Sequence, residues 1–345
     1  MRPAVLGIVA TLLAAALYLP SLQYGWVWDD GLLVSSQGAG GVGAEGFRPV
    51  ASLLYRIEWA IGYGTPILSH LTNVALHALA TWLFFTLALH LGAGAWIAFA
   101  AASLFAAHPV HAEAVAYVSG RPDLLATVFV LASLLLARTR TLCSPEGCRS
   151  STIWFAYLAL AAALLCEEVA VVTPLLLIAI DRSGPEPIPW KQRRTHYAGF
   201  FAITLVYLLV RFTAAGVGAP PGTAHDVSGV AAAARAWAPL LNFFELLAAM
   251  AVPYPLHTMR TLTAAEAASW GVRLAPFAAL AVIALFTWIR RRDPLARVGA
   301  AFLLLPMIPA IPLAPFVGSF GEDRAAYLPS VGFCLLAASL FAWGV

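Results

Sequence analysis

Long apolar runs separated by short polar connections dominate the chain. They lie near residues 3–22, 68–91, 93–107, 123–138, 152–165, 168–181, 197–215, 273–290, 297–316 and 327–344. The runs are continuous rather than alternating, which favours helices over the strands of a membrane β-barrel. Since about 20 apolar residues in helical form cross a bilayer core, the pattern predicts an all-α polytopic membrane protein with a bundle of about ten transmembrane helices.

Composition supports an integral membrane protein with a single domain over residues 1–345. Hydrophobic residues make up 61% of the chain, charged residues only 11%, and the mean hydropathy is +0.83, whereas soluble domains carry about 25% charged residues. The net charge of +3 does not indicate nucleic-acid binding, because membrane proteins use Lys and Arg to set their orientation. We therefore expect membrane lipids, and no nucleic acid, among the partners.

The basic connections predict how the helices are oriented. Counted from Arg2, they share one side, which the positive-inside rule assigns to the cytoplasm. These connections lie at residues 138–149, 182–194 and 290–292. The acid-bearing connections then share the extracytoplasmic face, at residues 29–30, 108–123, 166–168 and 321–324. This count treats residues 231–255 as re-entrant or interfacial, and in a bacterium it implies the inner membrane.

The first extracytoplasmic loop, residues 23–67, is too long for a plain connector. A glycine-rich middle gives way to an amphipathic stretch that contains Leu53, Arg56 and Glu58. This stretch predicts a short helix lying on the membrane surface.

Residues 108–123 place two imidazoles and three charged groups between apolar runs. Such density beside lipid is costly and marks a functional site by default. Either histidine, with the arginine, would donate hydrogen bonds to an anion such as a lipid phosphate; a polar cap on a helix end is the alternative. The histidine spacing also leaves a divalent metal open, although the pattern differs from that of the zinc proteases. The residues are His108, His111, Glu113, Arg121 and Asp123.

Asp29 and Asp30 follow the first apolar run, beside Trp26 and Trp28 as expected interfacial anchors. We expect one carboxylate to serve as a general base and the other as an orienting group or metal ligand. The alternative is a solvated loop or a helix N-cap.

Three further polar groups are candidates for the same pocket. His70, Asn73 and His77 share one helical stripe, where they line a pocket or hold helices together. Glu168 follows Glu167, and at least one of the two should pair with arginine or a metal, or have a raised pKa. Arg324 stands at a helix entrance, where it would meet a phosphate or pair with Asp323.

These clusters, in this order, resemble the multispanning GT-C glycosyltransferases, and most closely the transmembrane and tetratricopeptide-repeat-containing O-mannosyltransferase group. The longest matching stretch reads His-Pro-Val-His-x-Glu-Ala-Val-Ala-x-Val-Ser-Gly-Arg-x-Asp, from residue 108 to residue 123. The other stretches lie at residues 28–30, 47–49, 70–77, 166–181, 252–256 and 323–333. The resemblance therefore extends over nearly the whole chain.

The resemblance implies a GT-C-like bundle that moves a monosaccharide, mannose in this group, from a polyprenyl or dolichyl phosphate to a hydroxyl acceptor on a protein or glycan. It implies inversion at the anomeric carbon, an extracytoplasmic site, and a catalytic acidic pair at Asp29 and Asp30. There are two departures. The group commonly has Lys where this chain has Glu167, and no tetratricopeptide repeat domain is expected within residues 1–345.

The chemistry of such a reaction indicates which residues should act. A sugar phosphate already has a competent leaving group, so the enzyme needs cations or donors beside the departing phosphate and a carboxylate for the acceptor proton. The donor-binding candidates are Arg48, Arg121, Arg324, His108 and His111. The expected pocket support comes from His70, Asn73, His77, Glu113, Asp123, Glu168 and Asp323.

Two other functions remain open at this point. A secondary transporter also places carboxylates and histidines in a helical bundle, but near the bilayer midplane and commonly in related halves. A non-catalytic membrane scaffold related to these enzymes would tolerate loss of both aspartates.

Overall fold

The computed structural model describes residues 2–27, 30–31, 48–62, 64–139, 151–185, 187–213, 232–254, 270–309 and 323–344. Within these ranges every regular element is helical. The predicted all-α fold class is confirmed, and each apolar run of the sequence overlaps a helix.

The helices follow one another along the described ranges with short 3₁₀ turns between several of them. Their bounds are α1 Pro3–Tyr18, α2 Pro49–Gly62, α3 Pro66–His90, α4 Ala95–Ala107, α5 Ala112–Ala116, α6 Arg121–Thr139, α7 Ser151–Leu164, α8 Thr173–Ser183, α9 Trp190–Thr213, α10 Ala232–Ala251, α11 Trp270–Ile289, α12 Pro294–Leu304 and α13 Tyr327–Gly344. The 3₁₀ turns that matter for the site are Pro109–His111, Val118–Gly120, Glu168–Val172 and Asp323–Ala326.

Five of these helical segments are long and apolar enough to cross a membrane. They are Pro3–Gln23, Pro66–His90, Val118–Arg138, Trp190–Thr213 and Asp323–Gly344. A sixth span arises if α4 and the segment Pro109–Ala116, bent by 48° from it, count as one. Shorter apolar helices lie at Thr152–Leu164, Leu274–Ile289 and Pro294–Met307. The count of ten transmembrane helices and the orientation of the bundle stay predictions.

The bend after α4 has a local cause in the sequence. Pro109 disfavours helical geometry at the residue before it, and His108 is extended, with φ −68° and ψ 123°. The His108 ring then accepts the backbone N–H of Val110 at 3.3 Å, which caps the following turn. The bend carries residues 109–120 across one end of the bundle instead of onward through it.

One apolar core joins α1, α3, α4, α6, α7, α8 and α13. Small residues let the helices approach closely, as is usual between membrane helices. A Cβ at Gly332 of α13 would collide with the backbone of Leu303 and Gly299 on α12. These two helices therefore pack backbone against backbone beside the site.

Polar side chains collect at the two ends of the bundle. Because α6 runs from Arg121 to Thr139, Arg121 and Arg138 mark opposite ends. At the Arg138 end, that arginine donates to Ile180 O at 2.9 Å, and Arg193 lies 3.1 Å from the buried carboxylate of Asp181. This basic end is the one that the positive-inside rule assigns to the cytoplasm.

Two predicted surface or re-entrant segments are helices. Residues 49–62 form α2, which buries Tyr55 and Glu58 and exposes Leu53 and Ile57. The segment at residues 231–255 contains the 20-residue helix α10. The placement of both segments relative to the bilayer stays a prediction.

Candidate active site

The turn from Tyr117 to Arg121 organises the polar end that faces away from Arg138. Gly120 makes this turn possible, because a Cβ there would lie 2.6 Å from the carbonyl oxygen of Ala114 and 2.7 Å from its Cα. Only glycine permits so close an approach of two backbone segments. The turn therefore folds tightly back over α5.

Asp30 is bound directly to this turn. Its Oδ1 accepts both the backbone N–H and the Oγ–H of Ser119, each at 2.9 Å, and its Oδ2 accepts the N–H of Val27 at 3.2 Å. The residue is fully buried. Burial raises the pKa of Asp30 above its ordinary value, although the hydrogen bonds from Ser119 and Val27 oppose the shift. Asp30 is thus a positioned carboxylate that holds a proton more readily than a solvated aspartate.

Arg121 holds three elements together from the inside. Its Nη1 donates to Glu58 Oε2 at 2.6 Å, its Nε to Asn73 Oδ1 at 3.0 Å, and its Nη2 to Ser69 O at 2.9 Å. The guanidinium also lies 4.4 Å from the ring centre of Tyr55 and is fully buried. Arg121 therefore binds α2 and α3 to the start of α6.

Asn73 and Tyr55 fix the same turn from the other side. The Asn73 amide donates to Val115 O at 3.2 Å and to Tyr117 O at 3.1 Å, and the Tyr55 hydroxyl donates to Val118 O at 3.0 Å. Two of these carbonyls also accept a backbone N–H, Tyr117 O from Gly120 and Val118 O from Arg121, so the side chains add second hydrogen bonds to the turn. The position of Ser119, and through it of Asp30, is set by these contacts.

Arg324 reaches the turn from the 3₁₀ turn that precedes α13. Its Nη1 donates to Ser119 O at 3.2 Å, and its backbone N–H donates to Glu113 Oε2 at 3.0 Å. The guanidinium lies 6.0 Å from the ring centre of Tyr117. Ser119 thereby links a buried carboxylate and a partly exposed cation.

A second ionic cluster lies at the start of α2. Arg48 Nη2 is 2.8 Å from Glu167 Oε1 and 3.7 Å from Glu168 Oε2, while Arg211 Nη2 is 2.6 Å from Glu168 Oε1. Burial and the nearby Arg324 act to lower the pKa of Arg48, but Glu167, Glu168 and Asp123 outweigh them and raise it. Arg48 and Arg324 are therefore close enough for their positive charges to interact.

The pKa values of the two glutamates in this cluster are shifted in opposite directions. Burial raises the pKa of Glu167 well above its ordinary value, in spite of the attraction of Arg48. Burial alone would also raise the pKa of Glu168, but the hydrogen bond from Glu167 and the charges of Arg48 and Arg211 lower it to about 2. The expectation that one of the two glutamates has an arginine partner or a raised pKa agrees with this arrangement.

Three of the four histidines of the predicted site, His77, His108 and His111, have hydrogen-bond partners inside the protein. His77 Nε2 donates to Ala106 O at 3.1 Å, so its Nδ1 accepts the Tyr327 hydroxyl at 2.7 Å. His108 Nε2 donates to Met250 O of α10 at 2.9 Å, and His111 Nε2 lies 2.8 Å from Ser330 Oγ. These rings tie the bent segment to α3, α10 and α13.

Most of the predicted site residues therefore meet at one end of the bundle, but in different ways. Asp30 and Arg324 both bind Ser119, and Glu113 accepts the backbone N–H of Arg324. Arg121 and Asn73 form the support behind this turn. Asp323 is buried in the 3₁₀ turn beside Arg324, and Asp123 lies within electrostatic reach of Arg48. Asp29 lies outside the described residues.

The site predicted from the sequence did not include Ser119, and it also missed two charged groups. Glu58 was assigned to an amphipathic surface helix, and Arg211 lies within the apolar run at residues 197–215. Their one signal was a charge inside or at the edge of an apolar helix. Among the described residues, no three His, Cys, Asp or Glu side chains gather as a metal site would require.

Comparison with known proteins finds similarity to protein O-mannosyl-transferases of animals. The chain is 29% identical over 438 aligned residues to protein O-mannosyl-transferase Tmtc1 of Drosophila melanogaster, covering 94% of this chain and 50% of the relative. The chain is similar to proteins named protein O-mannosyl-transferases. The resemblance to this group that the sequence motifs suggested is therefore confirmed.

Other relatives agree. Protein O-mannosyl-transferase Tmtc2 of Drosophila melanogaster is 37% identical over 49% of this chain and 20% of its own length. Protein O-mannosyl-transferase TMTC4 of Homo sapiens is 28% identical over 85% of this chain and 46% of its own length. The chain thus spans half or less of each of these relatives. No protein-family model and no solved structure matches it.

Proposed function

We propose that this protein is an inverting glycosyltransferase that moves mannose from a polyprenyl or dolichyl phosphate to a hydroxyl acceptor, a protein Ser or Thr, on the extracytoplasmic face of a membrane. The observation that carries the proposal is the buried carboxylate of Asp30, joined through Ser119 to the Arg324 guanidinium. Relatives named protein O-mannosyl-transferases support the sugar and the acceptor.

In the proposed reaction the acceptor oxygen attacks the anomeric carbon as the bond from that carbon to the phosphate oxygen breaks. The prenyl phosphate departs with the bonding electrons, and the acceptor proton passes to Asp30. A raised pKa suits this task, because a base is most effective when its pKa approaches the working pH. Asp29 would orient the acceptor or the base.

The departing phosphate needs nearby cations. The described arginines at the polar end of the bundle differ in whether a phosphate could reach them. Arg324 and Arg48 are partly exposed at the polar end, where a phosphate would reach them. Arg121 is fully buried with its guanidinium bonded to three internal acceptors. Its surroundings, like those of His108 and His111, favour a role in holding the site over direct contact with phosphate.

The protein's apolar exterior suits a lipid-linked donor. Helix α9 exposes several large apolar side chains, among them Leu205, Val206 and Leu209. A prenyl tail beside such helices would keep its phosphate at the polar end, since the tail gains by staying in an apolar environment.

A transfer assay tests the proposal. Full-length protein in lipid nanodiscs is mixed with radiolabelled polyprenyl-phosphate mannose and a Ser/Thr peptide, and label on the peptide is measured. We expect transfer that depends on the protein and on the donor lipid. Folded protein that transfers no label would overturn the proposal, and sugar uptake into sealed vesicles without transfer would favour the transporter instead.

A further inference from the structure

His70 stands apart from the other histidines of the site. It lies on the first turns of α3, is fully buried, and neither ring nitrogen has a hydrogen-bond partner of normal geometry among the described residues. The backbone of Tyr24 and Gly25 lies close enough to interact with the His70 ring, although outside normal hydrogen-bond geometry, and the Tyr24 ring meets it edge-on with 6.2 Å between ring centres. A buried polar group without a partner is destabilising, so an unpartnered imidazole at this position calls for a reason.

The contrast with His77 shows that burial alone does not explain this. His77 lies two turns further along the same helical face, is equally buried, and has both ring nitrogens bonded, to Ala106 O and to Tyr327 Oη. The fold therefore supplies both ring nitrogens of His77 with partners, and one ring nitrogen of His111. At His70 neither nitrogen has a partner of normal geometry among the described residues.

The neighbours of His70 indicate what its missing partner is. Arg121 donates to the carbonyl oxygen of Ser69, the residue before His70. Asp30 binds the backbone of Val27, three residues after Tyr24, whose ring contacts His70, and its charge acts on His70. Asp30 Oδ1 already accepts two hydrogen bonds, whereas Oδ2 accepts one, from Val27 at 3.2 Å. Because a carboxylate has about four acceptor positions, Oδ2 retains capacity for a further donor.

We propose that His70 binds a substrate hydroxyl beside Asp30, an inference that rests on the proposed glycosyltransferase function. A hydroxyl has one donor and two acceptor positions. It donates to the Asp30 carboxylate and accepts the imidazole N–H, which satisfies both protein groups at once. The hydroxyl belongs either to the acceptor or to the sugar of the donor, and the two sources share this chemistry.

Stability measurements test the unpaired state of His70 without any assay of activity. In the full chain in nanodiscs, His70→Phe removes both ring nitrogens at similar size and should leave the thermal midpoint unchanged or raise it. His77→Phe is the matched control on the same helix, and should lower the midpoint by several degrees because it strands the Tyr327 hydroxyl and the Ala106 carbonyl. An equal fall in both variants would overturn the proposal.

Kinetics then test the role. With polyprenyl-phosphate mannose and a Ser/Thr peptide as probes, His70→Phe should reduce kcat/KM by about tenfold or more, the effect of roughly one hydrogen bond to substrate. His70→Gln, which keeps a donor and an acceptor, should recover most of the loss. A change confined to the peptide KM identifies the acceptor hydroxyl, and one confined to the donor KM identifies the sugar.

The outcomes separate this inference from the proposed function. Wild-type transfer with an unchanged His70→Phe rate overturns the role of His70 alone. Folded wild-type protein that neither transfers mannose nor shows a thermal shift with polyprenyl-phosphate mannose overturns the proposed function, and the role of His70 with it.

Discussion

Asp30 and Ser119 are 89 residues apart in the chain, yet two hydrogen bonds of 2.9 Å join one carboxylate oxygen to the backbone N–H and the hydroxyl of the serine. Through the same serine, whose carbonyl accepts Arg324 at 3.2 Å, the carboxylate is linked to a cation from the far end of the chain. The consequences of this arrangement can be measured.

Asp30→Asn should reduce mannose transfer by about 10²–10⁴-fold, the usual effect of removing a general base. The amide keeps the size of the side chain but cannot take up the acceptor proton. The measurement is the initial rate of label transfer per folded molecule. Asp181→Asn is the control, since Asp181 is also a buried carboxylate but pairs with Arg193 at the opposite end. Similar losses in both variants would point to misfolding instead.

The pH dependence of transfer should follow the titration of Asp30. Because burial raises its pKa, the rate should fall on acidification above the ordinary value for aspartate of about 3.9. The Ser119 hydroxyl bond lowers this pKa, so Ser119→Ala should move the acid limb to higher pH. The measurement is kcat/KM against pH.

Ser133→Ala is the control for that shift. Ser133 is on the same helix as Arg121, and its hydroxyl donates to Ala156 O at 2.7 Å, away from Asp30. Ser133→Ala should remove one buried hydrogen bond of a serine hydroxyl and leave the acid limb of the pH profile unmoved. An acid limb that moves to lower pH in Ser119→Ala would contradict the assignment of Asp30 as base.

Gly120→Ala should destabilise the protein by about 1–3 kcal/mol or more, as overpacking does, since the new Cβ meets rigid backbone at Ala114. Transfer should be lost with it, because the turn that holds Ser119 moves. Thermal unfolding measures the first effect. Gly94→Ala, whose Cβ would meet nothing within 4 Å, should leave both properties unchanged; a tolerated Gly120→Ala would refute the tight turn.

Arg121→Met should cost about 3–5 kcal/mol of stability, because it leaves the buried Glu58 carboxylate without its cation. Arg121→Met combined with Glu58→Gln should be more stable than the sum of the two single changes predicts. Denaturant unfolding of all four proteins measures the coupling. If the free-energy changes of the two single variants simply add up to that of the double variant, Arg121 and Glu58 are not coupled and the 2.6 Å ion pair is refuted.

Glu167 and Glu168 should respond differently to neutralisation at pH 7. Since the pKa of Glu167 is raised, Glu167→Gln resembles its protonated form and should be tolerated. The pKa of Glu168 is lowered to about 2 from 4.5, so its stabilising effect is fully present above 4.5 and is lost as the pH falls toward 2. The thermal deficit of Glu168→Gln should therefore shrink over that interval, and a larger deficit for Glu167→Gln would reverse the assignment.

The sequence by itself determined the fold class and selected most of the polar residues that gather at one end of the bundle. Continuous apolar runs require helices, since unpaired backbone is too costly in lipid, and each run overlaps a helix. The chemistry of the site was also legible, because a charged or imidazole group beside apolar sequence needs a reason to be there.

Only the tertiary structure decided what each of those residues contacts. Residue type and spacing marked Arg121, Arg324 and His108 alike as phosphate ligands, but three-dimensional packing buries Arg121 against Glu58, leaves Arg324 at the surface and turns His108 toward Met250. The same packing pairs His77 and leaves His70 without a partner among the described residues. The physical reason is that hydrogen bonds between residues far apart in the chain depend on how helices approach one another, which local periodicity does not specify.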